Sequence, residues 1–151
     1  MEADHDFVKF PELTNPQLIE FYFQSPHKQV LESFSAKVVK IHDGDTLTLR
    51  WDARDFDFPV RFATIGSKEI NEGGEEARDF LRGLVLGHVV DIIIDPSNRV
   101  EKWGRLLGRP MLNGMDLGEM MIQAGHAVPF SEIHLGAIRG NLPGVEKWLS
   151  I

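Results

Sequence analysis

Residues 43–46 read Asp-Gly-Asp-Thr and lie between two stretches in which two sets of side chains alternate along the chain. The first stretch runs from Ser35 to His42, and the second runs from Thr46 to Trp51. A period of two is typical of β-strands, because successive side chains point to opposite faces of a sheet. Asp-Gly is a strong turn signal between such runs. The sequence therefore predicts a β-hairpin at the start of the folded core.

The same periodicities predict three more strands and two helices after the hairpin. The strands span Phe56–Ile65, where Gly66 ends the strand, then His88–Ile94 and Arg105–Leu112; the helices span Glu75–Leu86 and Asp116–Ala124. Each helix has an apolar face and is followed by a glycine, Gly87 or Gly125, which is a common helix stop. This order predicts an α+β fold: a five-stranded OB-fold-type Greek-key β-barrel with two core helices.

Residues 1–34 are predicted to form an N-terminal extension with one helix, and residues 35–151 the main domain. Asn15 is placed at the N-cap and Pro16 at the first helical position. The opening dozen residues are polar and are expected to be loosely held. The apolar side chains of this helix are predicted to face the core. The alternative is that they lie in a groove with a partner. These side chains are those of Leu18, Ile19, Tyr22 and Phe23.

The composition limits the classes of function. The chain of 151 residues suits one core, and its net charge of −7 argues against a nucleic-acid coat protein with a broad basic face. Cysteine is absent, which excludes disulfides and thiolate metal sites, and the six histidines lack ligand spacing. The acidic start has no signal-peptide pattern and no apolar run could cross a bilayer, so a cytoplasmic location is expected.

Between Ala36 and Phe130 five segments occur in an order that resembles the thermonuclease family, whose type member is staphylococcal nuclease. The segments are DGDT (43–46), RFATIGSKE (61–69), EEARDFLRGLVLGHVV (75–90), EKWGR (101–105) and DLGEMMIQAGHA (116–127). Each segment alone is a weak signal, but all five in order form a specific one. The resemblance identifies residues 35–151 as a staphylococcal-nuclease-like domain.

The resemblance implies a role for five residues. Asp45 corresponds to the family's first metal carboxylate, Arg61 and Arg105 to its two catalytic arginines, and Glu69 to its catalytic glutamate. Phe130 falls near the place of an aromatic residue that stacks on a base. The family hydrolyses phosphodiester bonds of DNA and RNA with calcium, so Ca²⁺ and nucleic acid are the implied cofactor and partner.

One departure from the family pattern concerns the metal. Gly66 stands where the family has a second metal carboxylate, and Ser67 and Lys68 follow in place of Thr and Pro. Calcium takes six to eight oxygen ligands, and its affinity follows the number of charged ones. The sequence therefore predicts a weak calcium site. Glu101 and Trp103 replace the usual Asp and Tyr, which is a milder change.

These residue types suit phosphodiester hydrolysis. A carboxylate can take the proton of the attacking water, and the planar fork of arginine can bind two oxygens of the charged phosphate at once. Taken singly, the residues have simpler interpretations: turn formers for Asp43 and Asp45, a surface charge for Arg61, a loop acid for Glu69 and an ion pair for Arg105. The turn interpretation is favoured for Asp43, and packing is favoured for Trp103.

Two functions remain open at this point. The first is a calcium-dependent nuclease with a weakened metal site, which would act on DNA, RNA or both. The alternative is a catalytically impaired nuclease-like domain that binds nucleic acid or protein. The N-terminal helix is a further candidate, as the contact for a protein partner or a second copy of the chain.

Overall fold

The computed structural model describes residues 4–67 and 74–130. The strands are β1 Phe34–Asp43, β2 Thr46–Arg50, β3 Phe58–Phe62, β4 Ile65–Ser67, β5 Val89–Ile93, β6 Leu106–Leu112, β7 Met115–Asp116 and β8 Ala127–Pro129. The helices are α1 Asn15–Phe21, α2 Gly74–Val85 and α3 Leu117–Gln123, with a 3-10 turn at Tyr22–Gln24 after α1.

Five strands close into a barrel. β1 pairs antiparallel with β2 and β5, β2 with β3, and β5 with β6; a parallel pairing of β3 with β6 closes the circle. β7 extends β6 by a short hairpin, and β4 pairs with β8 in a separate two-stranded sheet. The predicted fold class is confirmed: an α+β, OB-fold-type barrel with two core helices and a helical N-terminal segment.

The barrel interior is filled by alternating strand residues and by one face of each core helix. In α2 the buried side chains recur every four residues, at Ala77, Leu81 and Val85, as the sequence predicted. In α3 Leu117 and Met121 are fully buried, whereas Ala124, which was also expected to face inward, is exposed. Asp116 caps α3 by accepting the backbone N–H of Glu119.

The predicted third strand is two strands in the structure. The chain leaves the barrel after Phe62, and Ala63 donates its N–H to the carbonyl of Gly108. The prediction that Gly66 ends the strand is wrong, because Gly66 lies in the middle of β4 and pairs with Val128 of β8. Local periodicity could not show this break, since the second half pairs with a strand more than 60 residues away.

The N-terminal helix differs from its prediction in cap and in buried face. The N-cap is Thr14, one residue earlier than expected, and it forms a reciprocal capping box with Gln17. Ile19 and Phe23, which were expected to face the core, are 92% and 99% exposed, and Phe21 is buried instead. The helix ends after seven residues, and Phe21 packs against the ring of His5 in the preceding segment.

Two buried arginines fasten the N-terminal segment to the barrel. Arg54 donates to both carboxylate oxygens of Glu12 at 2.6 and 2.7 Å, and its guanidinium lies 4.4 Å from the ring centre of Phe58. Arg99 donates to the carbonyl oxygens of Val30 and Leu13. The expectation of a loose opening segment is therefore wrong at its end, where Glu12 and Leu13 are buried. The proposed domain boundary between residues 34 and 35 stays a prediction.

The turn between β1 and β2 depends on the missing side chain of Gly44. A Cβ atom at this position would lie 2.7 Å from the Ser67 Cβ and 2.9 Å from the Ala77 Cβ. Real Cβ atoms do not approach so closely, so the turn requires glycine for space. Among the described residues, those with a positive φ do not include Gly44. The requirement for glycine therefore comes from the lack of space and not from the backbone conformation.

We expect Gly44→Ala to lower the free energy of unfolding by about 1–3 kcal/mol, because β4 or α2 must move to admit the methyl group. The matched control is Gly83→Ala in α2, where a Cβ would meet nothing within 4 Å. That change should be neutral or stabilise by up to about 1 kcal/mol, since alanine is the better helix former. Urea denaturation of both variants measures the difference, and equal stabilities would contradict the role given to the Gly44 contact.

Candidate active site

Three parts of the fold bring charged side chains together at one end of the barrel. The β1–β2 turn supplies Asp43 and Asp45, β3 supplies Arg61, and the residue before β6 is Arg105. Arg61 is the cross-strand partner of Thr46, and its Nη2 lies 3.6 Å from Oδ2 of Asp45. The charges of Asp45 and Asp43 also act on Arg105. The barrel closure between β3 and β6 explains this meeting, because it sets the two arginine-bearing segments side by side.

Asp45 is held from three sides. Its Oδ2 accepts the backbone N–H of Ser67 at 3.0 Å, and its Oδ1 accepts the hydroxyl of Thr46 at 3.1 Å. Its side chain is 13% exposed. Burial alone would raise the pKa of Asp45, but a hydrogen bond with Asp43, the charge of Arg61 and the Ser67 N–H together lower it below its usual value. Asp45 is thus a carboxylate that the fold keeps ionised.

Asp43 behaves in the opposite way. Its Oδ1 accepts the backbone N–H of Asp45 at 3.0 Å, which confirms that it serves as a turn former. Burial, together with the hydrogen bond and the negative charge of Asp45, raises the pKa of Asp43 to about 7. Near neutral pH the proton is therefore held by Asp43 while Asp45 stays ionised, and such opposite shifts are frequent at functional sites.

Arg61 folds back over the break between β3 and β4. Its Nη1 donates to the carbonyl oxygens of Phe62 at 2.8 Å and Ile65 at 3.3 Å. Its guanidinium lies 5.9 Å from the ring centre of Phe130. Phe130 is 49% exposed and lines a cleft of about 440 Å³. The structure therefore brings the predicted base-stacking residue beside a predicted catalytic arginine.

Arg105 is held by Glu101. Its Nε and Nη2 donate to the two carboxylate oxygens of Glu101 at 3.1 and 3.2 Å, and this hydrogen bonding raises the pKa of Arg105. The ion pair weighed as an alternative from the sequence is therefore present. About a third of the Arg105 side chain is exposed, so part of the guanidinium is accessible to a ligand. Its catalytic role stays a prediction.

Two further residues were assigned from the sequence, Glu69 as a catalytic residue and Trp103 as a packing residue. Glu69 and its neighbours at 68–73 lie outside the described residues. Trp103 was expected to pack, and this is wrong: the side chain is 67% exposed, with the ammonium group of Lys102 5.1 Å from the ring centre. Gly104, which follows it, has φ of +88°, so the segment turns sharply and leaves the indole at the surface.

Sequence reasoning missed three residues that orient the charged groups: Thr46, Ser67 and Glu101. Thr46 and Ser67 act through a hydroxyl and a backbone N–H, and neither leaves a recognisable pattern in a sequence. Glu101 could have been found, because it stands four residues before Arg105 in a tight turn, a spacing at which the two side chains can meet.

The oxygen donors at this site suit a hard cation such as calcium, but they are few. The carboxyl groups of Asp43 and Asp45 are close together, and a cation would offset the charge of Asp45, which adds to the effect of burial on the pKa of Asp43. Within residues 4–67 and 74–130 no group of three or more His, Cys, Asp or Glu side chains is placed to hold a metal ion. Both oxygens of Asp45 also accept hydrogen bonds already. The weak calcium site therefore stays a prediction.

A larger cavity does not suit a phosphate ligand. It has a volume of about 520 Å³ and lies between the N-terminal segment and the turn that carries Glu101. Four carboxylates line it, and they would repel a nucleic-acid backbone. They are Asp4, Asp6, Glu12 and Glu101. In the part of the chain that the structure describes, no helix has the length and apolarity to span a membrane.

Comparison with protein families matches residues 59–135 to the family described as staphylococcal nuclease homologue. The match covers just over half of the chain and includes Arg61, Gly66, Glu69 and Arg105. The chain therefore belongs to the staphylococcal nuclease homologue family.

A similar curated protein is an uncharacterized protein from Bacillus anthracis, which is 28% identical over 105 residues. The similarity covers 65% of this chain and 48% of that relative, so the chain spans about half the length of the relative it matches.

The raised pKa of Asp43 makes a prediction about stability. Its pKa is 3.8 when unperturbed and about 7 in the fold, so the folded state binds more protons than the unfolded state between these values. The contribution of Asp43 to stability therefore falls as pH rises from about 4 to about 7. Asp43→Asn keeps the acceptor for the Asp45 N–H and removes this loss.

We expect Asp43→Asn to stabilise the protein at pH 8 and to change little near pH 4. Urea denaturation at several pH values, with a chelator to exclude cations, measures the difference from the parent. Asp52→Asn, at an exposed position in the turn after β2, controls for the change in net charge. A difference between Asp43→Asn and the parent that does not vary with pH would refute the raised pKa of Asp43.

Proposed function

We propose that this protein hydrolyses phosphodiester bonds of nucleic acid as a calcium-dependent nuclease with a weakened metal site. The observation that carries the proposal is the meeting of Arg61, Arg105 and the ionised Asp45 at one end of the barrel. Membership of the nuclease family supports the same conclusion.

The two arginines would bind the charged phosphate. A guanidinium donates two parallel hydrogen bonds to phosphate oxygens and keeps its charge at all ordinary pH values. Arg61 and Arg105 are both oriented by hydrogen bonds inside the protein, so little reorganisation is needed when charge develops in the transition state. Phe130, beside Arg61, would stack on a base of the substrate.

Glu69 would act as the general base that takes the proton of the attacking water. In the sequence it follows Ser67, whose backbone N–H is bound to Asp45, by two residues. Asp45, with Asp43 beside it, would hold calcium; when bound, calcium would polarise the phosphate and help to orient the water.

A second candidate function is a domain that binds nucleic acid or protein without turnover. Gly66 removes a metal carboxylate, both oxygens of Asp45 are satisfied internally, and Glu101 occupies two donors of Arg105. The exposed Ile19 and Phe23 of the N-terminal segment would suit a protein partner or a second copy of the chain. Binding that persists without cleavage and without calcium would favour this function. A cytoplasmic location is proposed with both functions.

The nuclease proposal is tested by cleavage of single-stranded DNA and of RNA at millimolar calcium. Glu69→Gln removes the base and keeps the side-chain shape, so we expect the rate to fall by roughly a hundredfold to ten-thousandfold. Glu76→Gln, an equivalent change at an exposed position of α2, should leave the rate unchanged. An unaltered rate in Glu69→Gln would exclude Glu69 as the base. A parent protein that cleaves neither substrate at any calcium concentration would exclude the nuclease function itself.

Gly66→Asp should restore a carboxylate where the family has one. With calcium bound, the added charged ligand is expected to contribute about 1–3 kcal/mol of binding free energy and to raise the cleavage rate. Without calcium, a third carboxylate near Asp43 and Asp45 should destabilise the fold, because Gly66 is buried. Calorimetric calcium titration and denaturation with a chelator measure the two effects, and Gly66→Asn controls for the added volume. If Gly66→Asp binds calcium no better than the parent, Asp45 is not a ligand of the kind proposed.

A further inference from the structure

Two β-bulges in β1 align residues that ordinary strand geometry would separate. Residues three apart in a regular strand point to opposite faces. In β1 the pairing with β2 shifts between Val38 and Lys40 and again between Ile41 and Asp43, so each shift adds one residue. Lys37, Lys40 and Asp43 therefore lie on the same outer face of the barrel.

The pairing with β2 shows that these positions form an evenly spaced row. The partners of Lys37, Lys40 and Asp43 are Arg50, Thr48 and Thr46, which alternate along β2 with the inward Leu47 and Leu49. Thr46, at the end of the row next to the site, is covered and only 2% exposed. Thr46 is in turn paired with Arg61, so the row ends in the candidate active site. Lys37 and Lys40 are exposed, whereas the residue after each of them, Val38 and Ile41, is buried.

The row is locally basic on an acidic protein. Lys37 stands directly opposite Arg50, and like charges at cross-strand positions destabilise a sheet. Asp57 offsets part of this cost by accepting two hydrogen bonds from Arg50 at 3.0 Å. Among the described residues Lys37 and Lys40 take part in no ion pair, so their charges are available to a ligand.

The spacing of the row suits a nucleic-acid backbone. Each step is two residues of β2, which corresponds to about 6.8 Å at the usual rise of an antiparallel strand. Successive phosphates of an extended single strand are separated by a comparable distance. Lys40 and Lys37 are one step apart in this row, so consecutive phosphates of a strand that runs from the site along β1 would reach Lys40 and then Lys37.

We propose that single-stranded nucleic acid leaves the candidate active site along the outer face of β1 and β2, with consecutive phosphates bound by Lys40 and Lys37. This inference rests on the proposed action on nucleic acid, but it does not depend on turnover. It explains how a chain with a net charge of −7 can bind a polyanion. We call Lys37 and Lys40 the basic track. The two β-bulges of β1 place the basic track on the same face of the sheet as Asp43 of the site.

The test measures binding of a labelled oligothymidylate of about a dozen nucleotides, in the presence of a chelator, over a range of salt concentrations. For single strands the slope of log affinity against log salt is about 0.7 per phosphate neutralised. The double change Lys37→Gln and Lys40→Gln should therefore lower this slope by about 1.4 and weaken binding several-fold. A thymidine dinucleotide, which reaches only the site, should bind both proteins equally.

The control variant combines Arg78→Gln and Arg82→Gln, which remove two positive charges from helix α2, and it should keep the slope of the parent. The track is refuted if the Lys37 and Lys40 variant has the parent slope, or if its dinucleotide binding falls equally. A parent that binds no oligonucleotide refutes the nucleic-acid function, and the track with it. A parent that binds while the lysine variant is unchanged refutes the track alone.

Discussion

The close approach of Gly44 to Ser67 is the contact on which the site depends. Because Gly44 has no side chain, the backbone of β4 lies against the β1–β2 turn, and the Ser67 N–H reaches Asp45. The same contact fixes where β4 runs after the chain leaves the barrel. Arg61 bonds to carbonyl groups on both sides of that break, so its orientation follows from the position of β4. The lack of a side chain at Gly44 therefore sets the positions of both the Asp45 carboxylate and the Arg61 guanidinium.

The charged groups of the site are ordered by internal partners before any ligand arrives. Arg105 uses Nε and Nη2 for Glu101, and Arg61 uses Nη1 for backbone carbonyls while Nη2 faces Asp45. Because these long side chains are already ordered in the folded protein, binding does not carry the entropic cost of ordering them. In the proposed function the same partners would compete with a phosphate for donors. The balance between these two effects would then decide between turnover and binding alone, and Gly66, in place of the family's second carboxylate, would favour binding.

The barrel and its core helices could be predicted from the sequence because their signals are local. Alternation placed the strands that flank Asp43 and Asp45, and helical spacing placed the buried face of α2 correctly. The errors concern contacts between distant segments. The break after Phe62 depends on β8, and the exposure of Ile19 and Phe23 depends on how a short helix meets the segment before it. The charged site was predictable as a set of residues through the family resemblance, whereas the hydrogen bonds of Thr46 and Ser67 required coordinates.

The N-terminal segment is fastened to the main domain through two buried arginines. Arg54 and Arg99 are 7% and 3% exposed, and the segment supplies acceptors to both: the Glu12 carboxylate and the Lys28 carbonyl to Arg54, and the carbonyls of Leu13 and Val30 to Arg99. A buried arginine deprived of its partner carries a large desolvation cost, because neither water nor a change of protonation state can relieve it. The N-terminal segment therefore supplies hydrogen-bond acceptors to two buried cations of the main domain, although Nη2 of Arg99 has no partner among the described residues. Its acidic residue at Glu12 contributes to folding, so the negative charge of the N-terminal region is partly a requirement of the core.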